Sequence, residues 1–339
     1  MAEKTKLDVL ADILRKAPDE VFIQPHNVPD PDAIASGFAL HYLLAQRGVE
    51  TKIVYDLEIE KANSLKMLEL FNVPMVRAAE AYTLGTEDWA VLVDAQKGNS
   101  NITDLPTDEV AVIDHHEYRG NQGYRFEDIR PEAGSCSAIV AEYFFENNII
   151  PPAAVATALL YGIFMDTDNL TRGTDALDLD MFYRLYGLSD ISAIVDLRGN
   201  EISANDLKFY AEAFKTVEVY DELGFLRLAG VNDSLLGAAG DIVISVSGVN
   251  ISVAYALRES GVKLSVRSTC REVKASDLVC SMVEGIGVGG GHSHMAGGYI
   301  PAENIAKTRI VDTFLKHRAI AFYESRKKAA AGVAQPVSP

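Results

Sequence analysis

The sequence predicts an α/β protein: an N-terminal, doubly wound, mainly parallel sheet followed by a smaller α/β domain. Two observations carry this reading. Short apolar runs (Val21–Ile23, Lys52–Tyr55, Trp89–Val93 and Glu109–Ile113) alternate with stretches of helical periodicity, as in βαβ units. The last two runs are almost uninterruptedly apolar, as expected of strands buried on both faces. The length of 339 residues suits two ordinary domains.

Taken in order, Leu7, Leu10, Leu14 and Ala17 recur three and four residues apart, so 6–17 reads as a helix. It is amphipathic and contains acidic residues, unlike a secretory signal. A strand at 21–25 leads into a helix at 32–47, stopped by Gly48 at its C′ position. A strand at 52–55 and a short helix at 63–71 precede the strands at 89–93 and 109–113. Helices are predicted over 136–147 and 152–165, the second opened by Pro151-Pro152. Residues 175–220 read as helical and charged. The β-type runs 223–229, 241–247, 251–257 and 262–268 follow, then a glycine-rich loop, Gly285–Gly298, and a helix at 303–327. The resulting boundaries are 1–190 for the first domain, 191–221 for a helical linker, 222–328 for the second domain and 329–339 for a disordered tail.

Composition excludes several classes. The formal charge is −17, which opposes a broad grip on duplex nucleic acid. No apolar run approaches the ~18 residues of a membrane span. Three widely spaced cysteines, Cys136, Cys270 and Cys280, form neither a disulfide framework nor a zinc knuckle. The expectation is a cytoplasmic protein with no membrane partner.

Metal-type side chains follow several element ends: His26, Asp30 and Asp32 after the first strand, Asp94 after Val93, and Asp114-His115-His116 after Ile113. Asp166 ends a helical run. Pro29 and Pro31 stiffen the first of these loops. On its own, Pro29-Asp30-Pro31-Asp32 also reads as a turn with a helix N-cap. A parallel sheet gathers its strand ends on one edge. Four carboxylates gathered there repel one another unless cations neutralise them, and two divalent cations balance the charge. Oxygen ligands with some imidazole suit Mn²⁺ or Mg²⁺. Two such ions ~3.5–4 Å apart are a device for phosphoester hydrolysis. Downstream, Gly289-Gly290-Gly291-His292 could bring successive backbone N–H groups to an anion, or be a flexible loop. Arg267 could make a bidentate phosphate contact, or an ordinary surface ion pair.

His26-x3-Asp30-x-Asp32, Asp94, Asp114-His115-His116 and Asp166 together resemble the DHH phosphoesterase family, and Gly289–His292 resembles the signature of the DHH-associated domain. The resemblance covers 20–325. It implies one cation on His26, Asp30 and Asp94, and a second on Asp32, Asp94, His115 and Asp166. Asp94 would bridge them, Asp114 would orient the histidines, and His116 would face the substrate phosphate. Hydroxide shared by the cations would attack phosphorus. Arg267, Ser268, Gly289, Gly290, Gly291 and His292 would hold the terminal phosphate and sugar, in a cleft between the domains of a homodimer. The two-domain form is similar to the nanoRNase and 3′-phosphoadenosine 5′-phosphate (pAp) phosphatase group. That implies Mn²⁺-dependent cleavage of short single-stranded oligonucleotides, with pAp or pApA as further substrates.

Two rivals are an inorganic pyrophosphatase or polyphosphatase of the same superfamily and a non-catalytic nucleotide sensor. Pyrophosphatases of the superfamily carry a basic SRKKQ-like segment; Ser325-Arg-Lys-Lys328 is superficially similar but ends the terminal helix. Intact ligands at every motif oppose a sensor. The chain departs from the family's Asp-Thr-Gly with Asp166-Thr167-Asp168, where Asp168 either supports a ligand or faces solvent. Arg172 reaches substrate or is an exposed charge. His294 lines the glycine loop. His41 reads as a core histidine. Asp104, Asp108 and Glu109 read as solvated loop charges, and Tyr118 and Arg119 either close over substrate or belong to a loop.

Overall fold

A computed structural model describes residues 4–59, 61–81, 84–99, 101–118, 120–198, 204–305 and 310–333. The chain divides into two compact units, 1–201 and 202–339.

The first unit runs α1 (Lys6–Leu14), β1 (Val21–Gln24), α2 (Pro31–Gln46), β2 (Lys52–Tyr55), α3 (Ala62–Phe71), β3 (Met75–Arg77), β4 (Trp89–Val93), β5 (Asp108–Asp114), β6 (Phe126–Ile129), α4 (Cys136–Glu146), α5 (Ala153–Asp166), α6 (Ala176–Tyr186) and α7 (Ile191–Arg198). Its sheet has the order β3-β2-β1-β4-β5-β6, every neighbouring pair parallel. Residues 21–24, 89–93 and 110–114 are buried throughout, as their apolar runs require. The edge strands β3 and β6 were not foreseen. They are three and four residues long, with too few apolar positions to set a period.

Helix α2 starts where the sequence places it. Asp30 Oδ1 accepts the backbone N–H groups of Asp32 and Ala33 at 3.0 and 3.2 Å, and Pro31 occupies the first turn. Ile34, Leu40, Leu43 and Leu44 are fully buried, and the helix packs on α4 and α5.

Asp128 joins three elements. It is 5% exposed and accepts Arg130 Nε and Nη2, each at 2.8 Å, Lys6 Nζ at 2.8 Å and Tyr143 Oη at 2.7 Å. Burial alone favours the protonated carboxyl. Arg130, Lys6 and Tyr143 outweigh it and hold the group below its ordinary 3.8. A carboxylate depressed in the folded state contributes stability above its unfolded pKa, and this is lost as pH falls through the folded one. Asp128→Ala is therefore expected to cost about 3 kcal/mol at neutral pH, as for a broken buried ion pair. Urea titrations should show the gap from wild type closing as pH drops below the ordinary carboxylate range. A gap independent of pH would count against this account.

The second unit runs α8 (Ala204–Phe214), β7 (Glu218–Tyr220), β8 (Leu223–Ala229), α9 (Asp233–Ile244), β9 (Ile251–Arg258), β10 (Gly261–Ser268), α10 (Ala275–Val283), β11 (Val288–Gly291), β12 (Met295–Pro301), α11 (Ala302–Ile305) and α12 (Val311–Val333). The sheet order is β11-β12-β10-β9-β8-β7, with β8 and β9 parallel and the other pairs antiparallel. Leu223, Val253, Val262, Leu264, Leu278 and Leu315 lie in its core.

Three expectations are corrected here. The β-branched run 241–247 is not a strand but the end of α9 and the turn beyond it. Asn232 caps the helix by accepting Leu235 N–H at 2.9 Å, and Leu236, Ala239 and Val243 are buried at helical spacing. Helical burial overrides β propensity. The glycine-rich loop contains strands β11 and β12. A Cβ on Gly298 would lie 2.8 Å from Val279 Cγ2, and one on Gly289 would lie 3.1 Å from Val283 Cγ2. Glycine at both positions lets α10 lie directly on the strands. Helix α12 continues to Val333, into the stretch expected to be a disordered tail. Residues 334–339, and 306–309 within the predicted closing helix, lie outside the described residues. Among the described residues, no helix is long and apolar enough to cross a membrane.

Candidate metal centre

Strands β1 and β4 are neighbours at which the strand order reverses. The loops leaving them diverge, which opens a crevice beyond their carboxyl ends. His26 follows β1, Asp94 follows β4, and His115 and His116 follow β5. Asp30 caps α2, Asp32 lies in its first turn, and Asp166 ends α5. Asp94 has φ 56°, a left-handed conformation that Asp tolerates better than most residues. Its N–H is held by the Ile113 carbonyl at 3.0 Å.

The seven side chains do not form separate clusters. Ligand atoms of His26, Asp30 and Asp94 lie within 4.8 Å of one another, and so do those of Asp32, His115 and Asp166, and of Asp94, His115 and His116. His26 Nε2 is 3.8 Å from Asp30 Oδ1 and 3.7 Å from Asp94 Oδ2. His115 Nε2 is 3.0 Å from Asp166 Oδ2, 3.3 Å from Asp94 Oδ1 and 4.0 Å from Asp32 Oδ2. Asp94 thus adjoins both ligand groups. Asp30 also caps α2, so the turn-and-cap reading of its motif and the ligand reading describe one residue.

The electrostatics are those of a site built for more positive charge than the chain supplies. Burial, then Asp94 and Asp166, push the Asp32 carboxyl well above the usual range. Burial raises Asp94 as well, with His115 opposing. Burial works against a charged His115, but Asp166 and Asp94 overcome it and raise its pKa well above the ordinary value. His26 is raised, against burial, by Asp30 and Asp94. Asp30 is held low, again against burial, by His26.

The donor set fits cations in one further respect. His115 Nδ1 is 3.2 Å from the Ala133 carbonyl, an acceptor, so Nδ1 carries the proton and a neutral ring presents a lone pair at Nε2. That lone pair faces two carboxylate oxygens. One of them, Asp94 Oδ1, is buried with no hydrogen-bond partner among the described residues. A second proton on His115 or a cation satisfies all three atoms. Oxygen and imidazole donors favour a hard divalent ion, Mn²⁺ or Mg²⁺.

Supporting groups escaped the sequence reading. Both Asp32 oxygens accept backbone N–H groups from the first turn of α4: Cys136 to Oδ2 and Ser137 to Oδ1, each at 2.8 Å. A helix N-terminus thereby stabilises a buried carboxylate. Asp178 ties down the loop before that helix, accepting Gly134 N–H at 2.7 Å and the Ser135 hydroxyl at 2.9 Å. Asp114, fully buried, accepts His115 N–H at 2.9 Å and His116 Nδ1 at 2.8 Å, as an orienting carboxylate should.

Asp168 is exposed. Arg172 donates Nη2 and Nε to the Asp166 carbonyl at 2.8 and 3.3 Å, which anchors the end of α5. His41 bonds Thr51 Oγ1 at 2.8 Å. Glu109 is corrected: it is 9% exposed and pairs with Lys97 at 2.7 Å. Tyr118 is half exposed, and Arg119 lies outside the described residues.

In the second unit, Arg267 is held by Asp241 Oδ1 at 2.5 Å and by Ser265 Oγ at 2.8 Å. Ser268 does not present its hydroxyl outward. It is 2% exposed, donates to the Val273 carbonyl at 2.5 Å and accepts Cys270 N–H at 3.2 Å, so it secures a turn. Gly289, Gly290 and Gly291 form the exposed edge strand β11. His292 is exposed, and its carbonyl caps the Ser276 N–H of α10 at 3.2 Å. His294 is exposed, with its Nδ1 3.2 Å from the Ser268 carbonyl.

The DHH family N-terminal domain profile matches residues 20–163, and the DHHA1 domain profile matches 222–316. The uncharacterised protein MJ1633 of Methanocaldococcus jannaschii is 28% identical over 293 residues, 85% of this chain; the chain spans 59% of that relative's length. A probable manganese-dependent inorganic pyrophosphatase of Streptococcus thermophilus is 28% identical over 245 residues, covering 64% of this chain and 76% of the streptococcal one. The crystal structure of an exopolyphosphatase-related protein from Bacteroides fragilis superposes with a TM-score of 0.75 at 18% identity, over 95% of this chain and 97% of that one. With both domain profiles matched and the candidate ligand motifs converging on one centre, the chain belongs to the DHH family of phosphoesterases and carries a DHHA1 domain.

Proposed function

We propose that this protein is a Mn²⁺-dependent phosphodiesterase that releases mononucleotides from short single-stranded oligonucleotides and also accepts pAp or pApA. The observation that carries the phosphoesterase part is the convergence of four carboxylates and two histidines on overlapping cation sites, with a third, carboxylate-oriented histidine beside them. When bound, the cations supply Lewis-acid charge for phosphoryl oxygens and water of lowered pKa. His26, Asp30 and Asp94 would hold one and Asp32, Asp94, His115 and Asp166 the other.

The chain's own residues do the rest. Asp114 fixes His116 through Nδ1, so proton exchange with the reacting phosphoester takes place at Nε2. Arg267, Gly289–Gly291 and His292 are assigned to the substrate's terminal phosphate and sugar, which favours a short, phosphate-ended chain over a duplex. The acidic excess of the sequence lies in residues 1–201, which also disfavours a long polyanion. In this reading the protein is cytoplasmic and acts as a homodimer.

A second reading, hydrolysis of inorganic pyrophosphate, draws on the likeness to the streptococcal protein. The matched DHHA1 domain and its Gly-Gly-Gly-His segment favour a nucleotide substrate instead. The test is a Mn²⁺-supplemented panel of 5′-labelled oligonucleotides of increasing length, pAp, pApA, cyclic-di-AMP and pyrophosphate. Turnover is expected to be greatest on the shortest oligonucleotides, abolished by chelation and restored by Mn²⁺. Turnover confined to pyrophosphate would overturn the proposal, and so would full activity after exhaustive chelation.

A further inference from the structure

Gln96 is a buried polar side chain beside the centre to which none of the motifs assigns a role. It lies two residues beyond Asp94, is 1% exposed, and its Nε2 meets three oxygens: Asp114 Oδ2 at 2.7 Å, the Glu117 carbonyl at 3.2 Å and the His116 carbonyl at 3.4 Å. All three are acceptors, so the amide must turn its NH₂ end toward them. Asp114 Oδ1 takes the His115 N–H and His116 Nδ1, at 2.9 and 2.8 Å. The carboxylate plane is therefore pinned from both sides. Gln96 pins the side away from the histidines and also holds the backbone that leads out of His116.

We propose that Gln96 is a positioning residue for His116, acting through Asp114 and the carbonyls that follow the histidine pair. A carboxylate held at one oxygen alone can pivot. One held at both fixes the ring plane and Nδ1–H tautomer of the imidazole bonded to it. β4 is paired with β5, so one short segment delivers a shared ligand, Asp94, and two residues on fastens the neighbouring loop. Leucine at this position would keep most of the volume and strand Asp114 Oδ2 without a donor, a costly state for a buried carboxylate.

The kinetic part of the test rests on the phosphoesterase reading; the spectroscopic part does not. In the diamagnetic Mg²⁺ form, wild type is expected to show a hydrogen-bonded His116 Nδ1–H proton far downfield, assigned by its disappearance in His116→Ala. In Gln96→Leu that signal should broaden or move, while the cation affinity read by titration stays near wild type. With an active substrate, Gln96→Leu should lower kcat by about 10–100-fold, the usual effect of removing such a supporting partner. KM should stay within about twofold, because the interaction acts on the reacting step. In the His116→Ala background the same substitution should have no further effect, since the two act in series. An unchanged His116 signal, or equal losses in both backgrounds, would overturn the assignment. If no phosphoester is turned over but the signal still moves in Gln96→Leu, the positioning role stands and the functional reading falls.

Discussion

Asp94→Asn is expected to abolish turnover while leaving a folded protein whose metal-free form is more stable than wild type. Asparagine suits the position because residue 94 has φ 56°, where Asn is well tolerated and Ala is strained. The change removes one negative charge at the point where the ligand groups overlap. Loss of a single transition-state hydrogen-bond donor costs about 10²–10³ in rate. Loss of a carboxylate proposed to serve both cation sites should cost at least the upper figure. Mn²⁺ titration followed by electron paramagnetic resonance should show the high-affinity sites weakened together rather than one alone.

The stability effect has the opposite sign. Burial raises the Asp94 carboxyl, and Asp94 in turn helps raise Asp32. Ionised Asp94 therefore opposes folding when no cation is present. Its removal should stabilise the chelated protein, read as a higher unfolding temperature than wild type. The same change should reduce the extra stability that Mn²⁺ confers by mass action. Thermal unfolding with and without Mn²⁺ reads both. A variant less stable than wild type in both conditions would mean that Asp94 is structural, not a cation ligand.

Gly162→Ala is expected to damage the centre from a residue that touches no cation. Gly162 lies inside α5, where alanine is normally better by about 1 kcal/mol. Here its Cβ would stand 2.2 Å from Ser137 Oγ and 3.1 Å from both Ser137 Cβ and Asp32 Oδ1. Ser137 must move, and its N–H is one of the two that hold Asp32. Overpacking of this kind costs about 1–3 kcal/mol, and loss of a ligand's supporting partner lowers metal affinity by about 10–100-fold. Removing the hydroxyl relieves the shortest contact, so Ser137→Ala in the same chain should recover part of both losses. Wild-type Mn²⁺ affinity in Gly162→Ala would show that α4 accommodates the methyl without disturbing Asp32.

The candidate ligands were legible because each sits at the end of an element whose pattern is strong. Trp89–Val93 reads as a buried strand, so Asp94 can be placed at its end without coordinates. The same holds for His115 and His116 after β5, and for Asp32 in the first turn of a helix opened by Pro31. Their supports were not legible. Gln96 looks like any loop glutamine until the Asp114 carboxylate is found against it. The Cys136 and Ser137 amides carry no side-chain signal at all. Gly162 reads as an indifferent helix residue until Ser137 is packed on it. The run at 241–247 misled because β-branched composition is a local property, whereas the face that is buried depends on the sheet beneath.

By itself, then, the sequence determined the alternation of strand and helix, the character of the donors and their places at element ends. Those follow from backbone preferences and hydrophobic periodicity acting over a few residues. Tertiary structure alone decided the strand order, and with it that the β1 and β4 loops part at the reversal and leave room for cations. It also decided that α4 aims its first amides at Asp32 and that α10 lies on β11 and β12 at Gly289 and Gly298, where a Cβ would crowd it. Such contacts join residues far apart in the chain, and their energies depend on distances of a few tenths of an ångström that no local pattern encodes.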